Sequence, residues 1–115
     1  MIEISTQQIK GVVIVSLKGE LDASSALAFD NKMGEVIAQQ PKAVLIDCAK
    51  LEYTSSPGIG VLISRHGECQ EKNISFALCN LNPKINNALK MLGLDQLITI
   101  YNSTHEAKSA MGAFH

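Results

Sequence analysis

The sequence predicts an α/β domain: a small mixed sheet of four to five strands, opened by an N-terminal hairpin and packed by four helices. Three observations predict it. Short β-branched or apolar runs (Val12 to Leu17, Ala43 to Asp47, Ile74 to Leu78, Ile98 to Tyr101) alternate with longer segments whose apolar residues recur every three or four positions. Strands that alternate with helices pair in parallel, because each helix carries the chain back across the sheet before the next strand begins. Finally, 115 residues with 46% hydrophobic and 18% charged side chains suit one core. A chain of this size buries roughly two-thirds of the surface its unfolded form exposes and folds without metal or disulfide staples. Residues 1–115 are therefore read as a single domain.

Ile2, Ile4 and Ile9 flank a first extended segment, Lys10-Gly11 offers a turn, and Val12-Val13-Ile14-Val15-Ser16-Leu17 is β-branched enough for a strand, which makes the hairpin. After Gly19-Glu20-Leu21-Asp22 the period becomes that of an amphipathic helix. Ala26, Phe29, Met33, Val36 and Ile37 form its buried stripe, and Asp22, Ser24 or Ser25 caps it. Pro41 closes this region, and Ala43-Val44-Leu45-Ile46-Asp47 is the continuous apolar run of a strand buried on both faces. Leu51 to Gly60 reads as a loop feeding a second helix. Ser55 or Ser56 suits its N-cap, and Pro57 the first helical position, where the missing N–H costs nothing. After the strand at Ile74 to Leu78, Asn82-Pro83 opens a third helix with Ile85, Ala88, Leu89 and Leu92 on one face and Gly93 at its end. Met33, Leu89, Met91 and Leu92 are read as core and not as a cofactor groove. Ile98 to Tyr101 is the last strand, and Ser103-Thr104 caps a final helix with apolar positions Ala107, Ala110, Met111 and Phe114. The expected order is ββαβαβαβα.

Composition excludes several classes of function. Ten Lys plus Arg against eleven Asp plus Glu leave a net charge of −1. Without clustered cations there is no counterion release to drive binding, so nucleic acid is not an expected partner. The longest apolar runs, Val12 to Val15 and Ala43 to Ile46, fall far short of the ~20 residues that span a bilayer. Met1 to Ser5 alternate where a secretory leader would be basic and then apolar. No membrane insertion is expected, and the cytoplasm is the expected location. Cys48, Cys69 and Cys79 fit neither a zinc pattern nor a paired disulfide framework, and Cys48 and Cys79 read as small apolar strand residues. His66 continues an apolar stripe and reads as a packed histidine, while His105 and His115 fall in the C-terminal helix region. No two histidines have metal-ligand spacing, so neither metal nor cofactor is expected.

The informative stretch is Tyr53 to Gly60, where Ser55 and Ser56 precede Pro57, Gly58 and Gly60 at the start of a helix that follows a buried strand. Free amides and the macrodipole of a helix N-terminus favour negative charge, so a phosphate on a serine there would be stabilised. Gly58 and Gly60 would leave room for a partner's active site. Phosphorylation would add about −1.5 to −2 charges, facing Glu52 and also Asp22 and Asp47, which end neighbouring strand segments. The same Ser-Ser-Pro-Gly also describes an ordinary helix start, and the local sequence leaves both readings open. A serine hydrolase is not supported, because the Gly-x-Ser-x-Gly elbow is absent. A nucleotide site at Gly58 to Gly60 would lack the lysine of a P-loop.

Gly19-Glu20-Leu21-Asp22, Val44-Leu45-Ile46-Asp47 and Tyr53-Thr54-Ser55-Ser56-Pro57-Gly58-Ile59-Gly60-Val61-Leu62 together resemble a STAS domain of the bacterial anti-sigma-factor antagonist type. Ala77-Leu78-Cys79-Asn80, Ile85 to Leu92 and Gly93-Leu94 extend the likeness over nearly the whole chain. The resemblance implies a partner switch and no enzymatic activity. The unphosphorylated protein would bind a GHKL-type serine kinase that also acts as an anti-sigma factor. The kinase would then phosphorylate a serine at the helix start, binding would be lost, and a PP2C-type phosphatase would reset the cycle. The acceptor position falls on Ser56, with Ser55 as second candidate. Asp22, Thr54, Ser55, Ser56, Pro57, Gly58, Ile59 and Gly60 form the implied partner-binding surface. Domains of this kind also serve as non-phosphorylated subunits of membrane transport assemblies and as regulators of sigma-independent outputs such as biofilm formation.

Overall fold

The computed structural model describes residues 1–113. Its elements are β1 (Ile2–Ile9), β2 (Val12–Leu21), α1 (Ala23–Ala38), β3 (Ala43–Thr54), α2 (Ser56–Glu71), β4 (Ser75–Cys79), α3 (Pro83–Met91), a 3₁₀ turn (Leu94–Gln96), β5 (Thr99–Tyr101) and α4 (Thr104–Met111). This is the expected order, with five strands arranged β1-β2-β3-β4-β5; β1 is antiparallel to β2 and the other pairs are parallel. Lys10 and Gly11, at φ 51° and 82°, supply the two left-handed residues of a mirror-image hairpin turn, whose twist matches that of the flanking strands.

Each helical crossover moves the chain one strand further in the same direction, so α1, α2 and α3 all lie on one face of the sheet. There Phe29, Met33, Val36 and Ile37 of α1, Leu62 and Cys69 of α2, and Ile85 and Leu89 of α3 pack on Val13, Val15, Val44, Ile46, Cys48 and Leu78. On the opposite face, Ala107 and Met111 of α4 cover Val12, Ile14, Ala43, Leu45, Ala77 and Cys79. All three cysteines are free and buried. Burial raises the Cys69 and Cys79 thiols to about 11 and pushes Cys48 up further, so all three behave as small apolar side chains. His66 is buried, its ring meeting Phe76 edge-on at 5.7 Å, and burial lowers its pKa.

Two expected boundaries shift, and the shift bears on the site. β2 runs on to Leu21 and β3 to Thr54, so Leu51 to Thr54 is strand and not loop. The apolar run breaks at Asp47 because the face beyond it is only partly covered. Asp47 there accepts from the Ala49 amide and from the Asn80 side chain, both at 3.0 Å. The backbone ladder to β2 nevertheless continues, from Lys18↔Lys50 to Leu21↔Thr54, with register shifts after Ser16 and Gly19. Asp47 therefore does not end its strand. It lies seven residues before Thr54, or up to roughly 23 Å at the usual strand rise, and is removed from the start of α2.

Other departures are local. Met91 and Leu92 are not core: they are 87% and 60% exposed, because α3 ends at Met91 and the left-handed Gly93 turns the chain so that Leu94 re-enters the core. On α4, Ala110 is exposed while Ala107 and Met111 are buried. Phe114, expected on that stripe, and His115 lie outside the described residues.

Candidate functional site

The site is assembled where β2 and β3 end side by side. Leu21 pairs with Thr54, and the next step of the ladder is made by Ser55, whose amide donates to the Leu21 carbonyl at 2.9 Å. Ser55 is the entire connection between β3 and α2. It is the N-cap residue of α2, but its hydroxyl does not cap. The hydroxyl also donates to the Leu21 carbonyl, at 3.3 Å, and is half-buried. Ser56 is the first residue of α2 and is exposed, and its hydroxyl has no hydrogen-bond partner among the described residues. Pro57 is therefore the second helical residue and not the first, still within the turn where a missing N–H costs nothing.

The two glycines of this segment do different work. Gly58 is buried, and a Cβ on it would come within 2.6 Å of Leu21 Cγ and 2.8 Å of Thr54 Oγ1. Its missing side chain makes room for the end of β2, not for a partner, which corrects the expectation that both glycines clear an approach. Gly60 is exposed, with nothing within 4 Å of the point a Cβ would occupy, and leaves the helix face open. Ile59 is partly buried against the core. Ser56, Gly60 and Ile63 share one exposed face of α2 through their four- and seven-residue spacing, and Ile63 is 40% exposed. Tyr53 is also exposed. Periodicity counted from Ser56 would have found Ile63 as part of this face.

Asp22 follows Leu21 directly and so lies at the end of the strand adjacent to Thr54 and Ser55. Its side chain is engaged at the start of α1. Oδ1 accepts from the amides of Ser24 and Ser25 at 3.0 and 3.1 Å and from the Ser24 hydroxyl at 2.7 Å. The Ser25 hydroxyl in turn accepts from the Asp22 amide at 2.9 Å, completing a reciprocal capping box. The Ser24 hydroxyl and the Ser25 amide hold the Asp22 carboxyl down to about 2, so it is anionic throughout the physiological range. Thr54 is half-buried, its hydroxyl donating to the Ser55 carbonyl at 3.4 Å.

The helix start retains unpaired donors. Ser55 supplies no side-chain cap and Pro57 has no N–H, which leaves the amides of Ser56 and Gly58 without intrahelical partners. An anion on the Ser56 hydroxyl would sit at the positive end of the sixteen-residue α2. The described residues hold no cluster of His, Cys, Asp or Glu able to bind a metal. The sheet also lacks the feature that makes nucleotide crevices in open α/β folds. Such crevices open where neighbouring crossovers go to opposite faces, and here the three parallel crossovers all go to one.

Leu21 is the residue that sequence reasoning missed. It carries the contacts of Ser55 and Gly58 across 34 and 37 positions of chain, and nothing local to Tyr53 to Gly60 points to it. A second role of Asn82 was missed too: besides capping α3 by accepting from the Ile85 amide at 2.8 Å, its amide group donates to the Leu51 carbonyl at 3.2 Å and steadies the extended half of β3.

Comparison with known proteins places this geometry. The profile of the STAS domain matches residues 3–107. An anti-sigma F factor antagonist of Paenibacillus polymyxa is 30% identical over 103 residues, covering 89% of this chain and 88% of that protein. The crystal structure of an anti-sigma factor antagonist from Mycobacterium paratuberculosis superposes with a TM-score of 0.90 at 26% identity, over 97% of this chain and 95% of the other. SpoIIAA, an anti-sigma factor antagonist solved in an unphosphorylated form and, from Bacillus, in a phosphorylated form, shares the fold with TM-scores of 0.74 and 0.73 at 18% and 20% identity. These superpositions cover 94% of this chain in each case, and 96% and 98% of the two SpoIIAA chains.

Proposed function

Because the chain belongs to the STAS domain family, we propose that it is a phosphorylation-controlled antagonist in a bacterial partner-switching pathway, with Ser56 as the acceptor. The unmodified Ser56 face of α2 docks on a serine kinase of the GHKL type that also sequesters a sigma factor or another client. Transfer of phosphate to Ser56 releases the complex, and a PP2C-type phosphatase restores it. The protein acts as a binding partner and substrate, and not as an enzyme. The cytoplasm is the compartment in which such a kinase and its ATP are found, and none of the described helices is long and apolar enough to cross a membrane.

One observation carries the choice of residue. Ser56 is exposed at the first position of α2 and its hydroxyl has no partner among the described residues, whereas Ser55, the second candidate, is half-buried and already donates to Leu21. A kinase can reach the first without disturbing the ladder; reaching the second would break a contact between β2 and α2. The mechanism is local. The phosphate is accommodated by the helix N-terminus, so the domain keeps its fold, while Asp22 and Glu52 nearby make the modified surface strongly anionic. A release of tenfold to a thousandfold needs only ~1.4 to 4 kcal/mol of differential binding. Repulsion and desolvation of one phosphate in a closed interface supply that much.

The experiment pairs two variants with the cognate kinase. Ser56→Ala is expected to abolish phosphate incorporation while keeping kinase binding, and Ser56→Asp to weaken binding at least tenfold. Undiminished phosphorylation of Ser56→Ala would refute the assignment and move the acceptor to Ser55 or Thr54.

A further inference from the structure

The two edges of the sheet are unlike. β5 offers three residues, whereas β1 offers eight, paired on one side only. The tight turn at Lys10 and Gly11 makes Ile9 and Val12 a hydrogen-bonded pair, and at the far end the Glu20 amide donates to the Met1 carbonyl at 3.1 Å. Odd-numbered residues of β1 therefore direct their backbone groups to β2. Ile2, Ile4, Thr6 and Gln8 direct theirs outward, a row of four N–H and four C=O groups. Edges of this length are ordinarily blunted by proline, lysine or a bulge. Between Ile2 and Ile9 there is neither proline nor lysine, and the register to β2 runs without a shift.

The row is self-complementary. A two-fold axis perpendicular to the sheet at Ser5 sets Ile2 opposite Gln8 and Ile4 opposite Thr6 of a second copy, so that all the outward groups of both edges are paired. On the other face Ser5 meets Ser5, and Glu3, the one charge in β1, meets Gln7 and never its own copy. A net charge of −1 adds little repulsion between copies. We infer that two copies of this chain associate edge to edge through antiparallel pairing of β1, forming one continuous sheet of ten strands, five from each copy. The contact is of the small class, below ~1,200 Å², so the dimer forms reversibly with concentration. The axis reverses strand direction, which points the two Ser56-bearing ends opposite ways and leaves both open. The dimer thus stands apart from the switch proposed above.

Sedimentation velocity and native mass spectrometry of the full chain over a concentration series test this. A dimer fraction that grows with concentration is expected. Thr6→Pro removes an outward N–H without touching the β2 ladder and weakens the dimer at least tenfold, with the circular dichroism spectrum unchanged. Ser5→Lys and Ser5→Glu place like charges across the axis. Each alone is monomeric, and an equal mixture of the two recovers a heterodimer, which also reports the register should Thr6→Pro fail to fold. A chain that stays monomeric at millimolar concentration, or a dimer indifferent to the Ser5 charges, overturns the inference. So does an edge that captures an extended segment of another protein but never its own copy.

Discussion

At the scale of single residues, the start of α2 depends on a glycine whose purpose is internal. A methyl group at Gly58 would meet Leu21 Cγ at 2.6 Å, Leu21 Cδ2 at 2.9 Å and Thr54 Oγ1 at 2.8 Å, too close for any of them to stay in place. Gly58→Ala is expected to cost about 1–3 kcal/mol through overpacking, measured by urea unfolding. Shortening the obstacle in the double variant Gly58→Ala with Leu21→Ala should recover part of that loss; simple addition of the two single losses would refute the direct contact. Gly60→Ala, two residues on and in open space, should leave stability unchanged or raise it by up to ~1 kcal/mol through helix propensity. The contrast separates a glycine required by packing from one that leaves a surface bare.

At the scale of elements, Arg65 ties α2, which carries Ser56 at its start, to α1. Its Nε donates to Asp30 Oδ1 at 2.8 Å and its Nη2 to the Asp30 carbonyl at 2.9 Å, across to α1; its Nη1 donates to Glu68 Oε1 at 2.6 Å on its own helix. Lys72 adds a contact to Glu68 Oε2 at 3.1 Å. Gly34 lets the guanidinium lie across α1, since a Cβ there would come within 3.0 Å of Nη2. Arg65→Met keeps the aliphatic stem but removes the forked donors, and should lower stability by about 1–3 kcal/mol. The same variant should raise amide exchange along the facing turns of α1 and α2 more than in the hairpin. Equal protection throughout would show that the helices are held by the core alone.

At the scale of the whole molecule, stability should be bounded on both sides by pH. Asp22 and Glu68 have pKa values lowered by their hydrogen bonds. Their contribution is complete above the unfolded carboxylate range, ~4, and is lost as pH falls through the folded values, about 2 for Asp22. Burial makes His66 harder to protonate in the fold than in the unfolded chain, which takes up a proton below ~6.5, so stability also declines as pH drops through that region. On the alkaline side, Cys69 and Cys79 at about 11 keep protons that unfolded thiols release from ~8.5 upward, and stability falls as pH rises. Thermal unfolding should therefore show a plateau between roughly pH 6.5 and 8.5. His66→Leu should flatten the slope just below that plateau, and an unchanged slope there would remove His66 from the account. The proposed phosphorylation of Ser56 would act at this scale as well: a chain of net charge −1 would go to about −3 on one phosphoserine, with the added charge at one helix end.

The elements and their order were legible along the chain because each rests on local physics. The stripe of Ala26, Phe29, Met33, Val36 and Ile37, the turn at Lys10-Gly11, and the caps at Asp22, Asn82 and Ser103 all sit where period and side-chain chemistry placed them. The neighbourhood of Ser56 at a helix start was legible for the same reason. What depended on residues far apart in the chain was not. The extension of β3 to Thr54 rests on hydrogen bonds to β2, and the inward role of Gly58 on Leu21. Which of the Ser55 and Ser56 hydroxyls is engaged depends on the Leu21 carbonyl, and the exposure of Met91 and Leu92 on the turn at Gly93. Propensity, periodicity and capping act within a few residues, and they settle which segments become strands and helices and that a serine pair opens α2. Which serine stands free and which glycine is filled from behind are settled by the folded chain alone, because both answers follow from the parallel ladder that brings Leu21 beside Thr54 and Ser55.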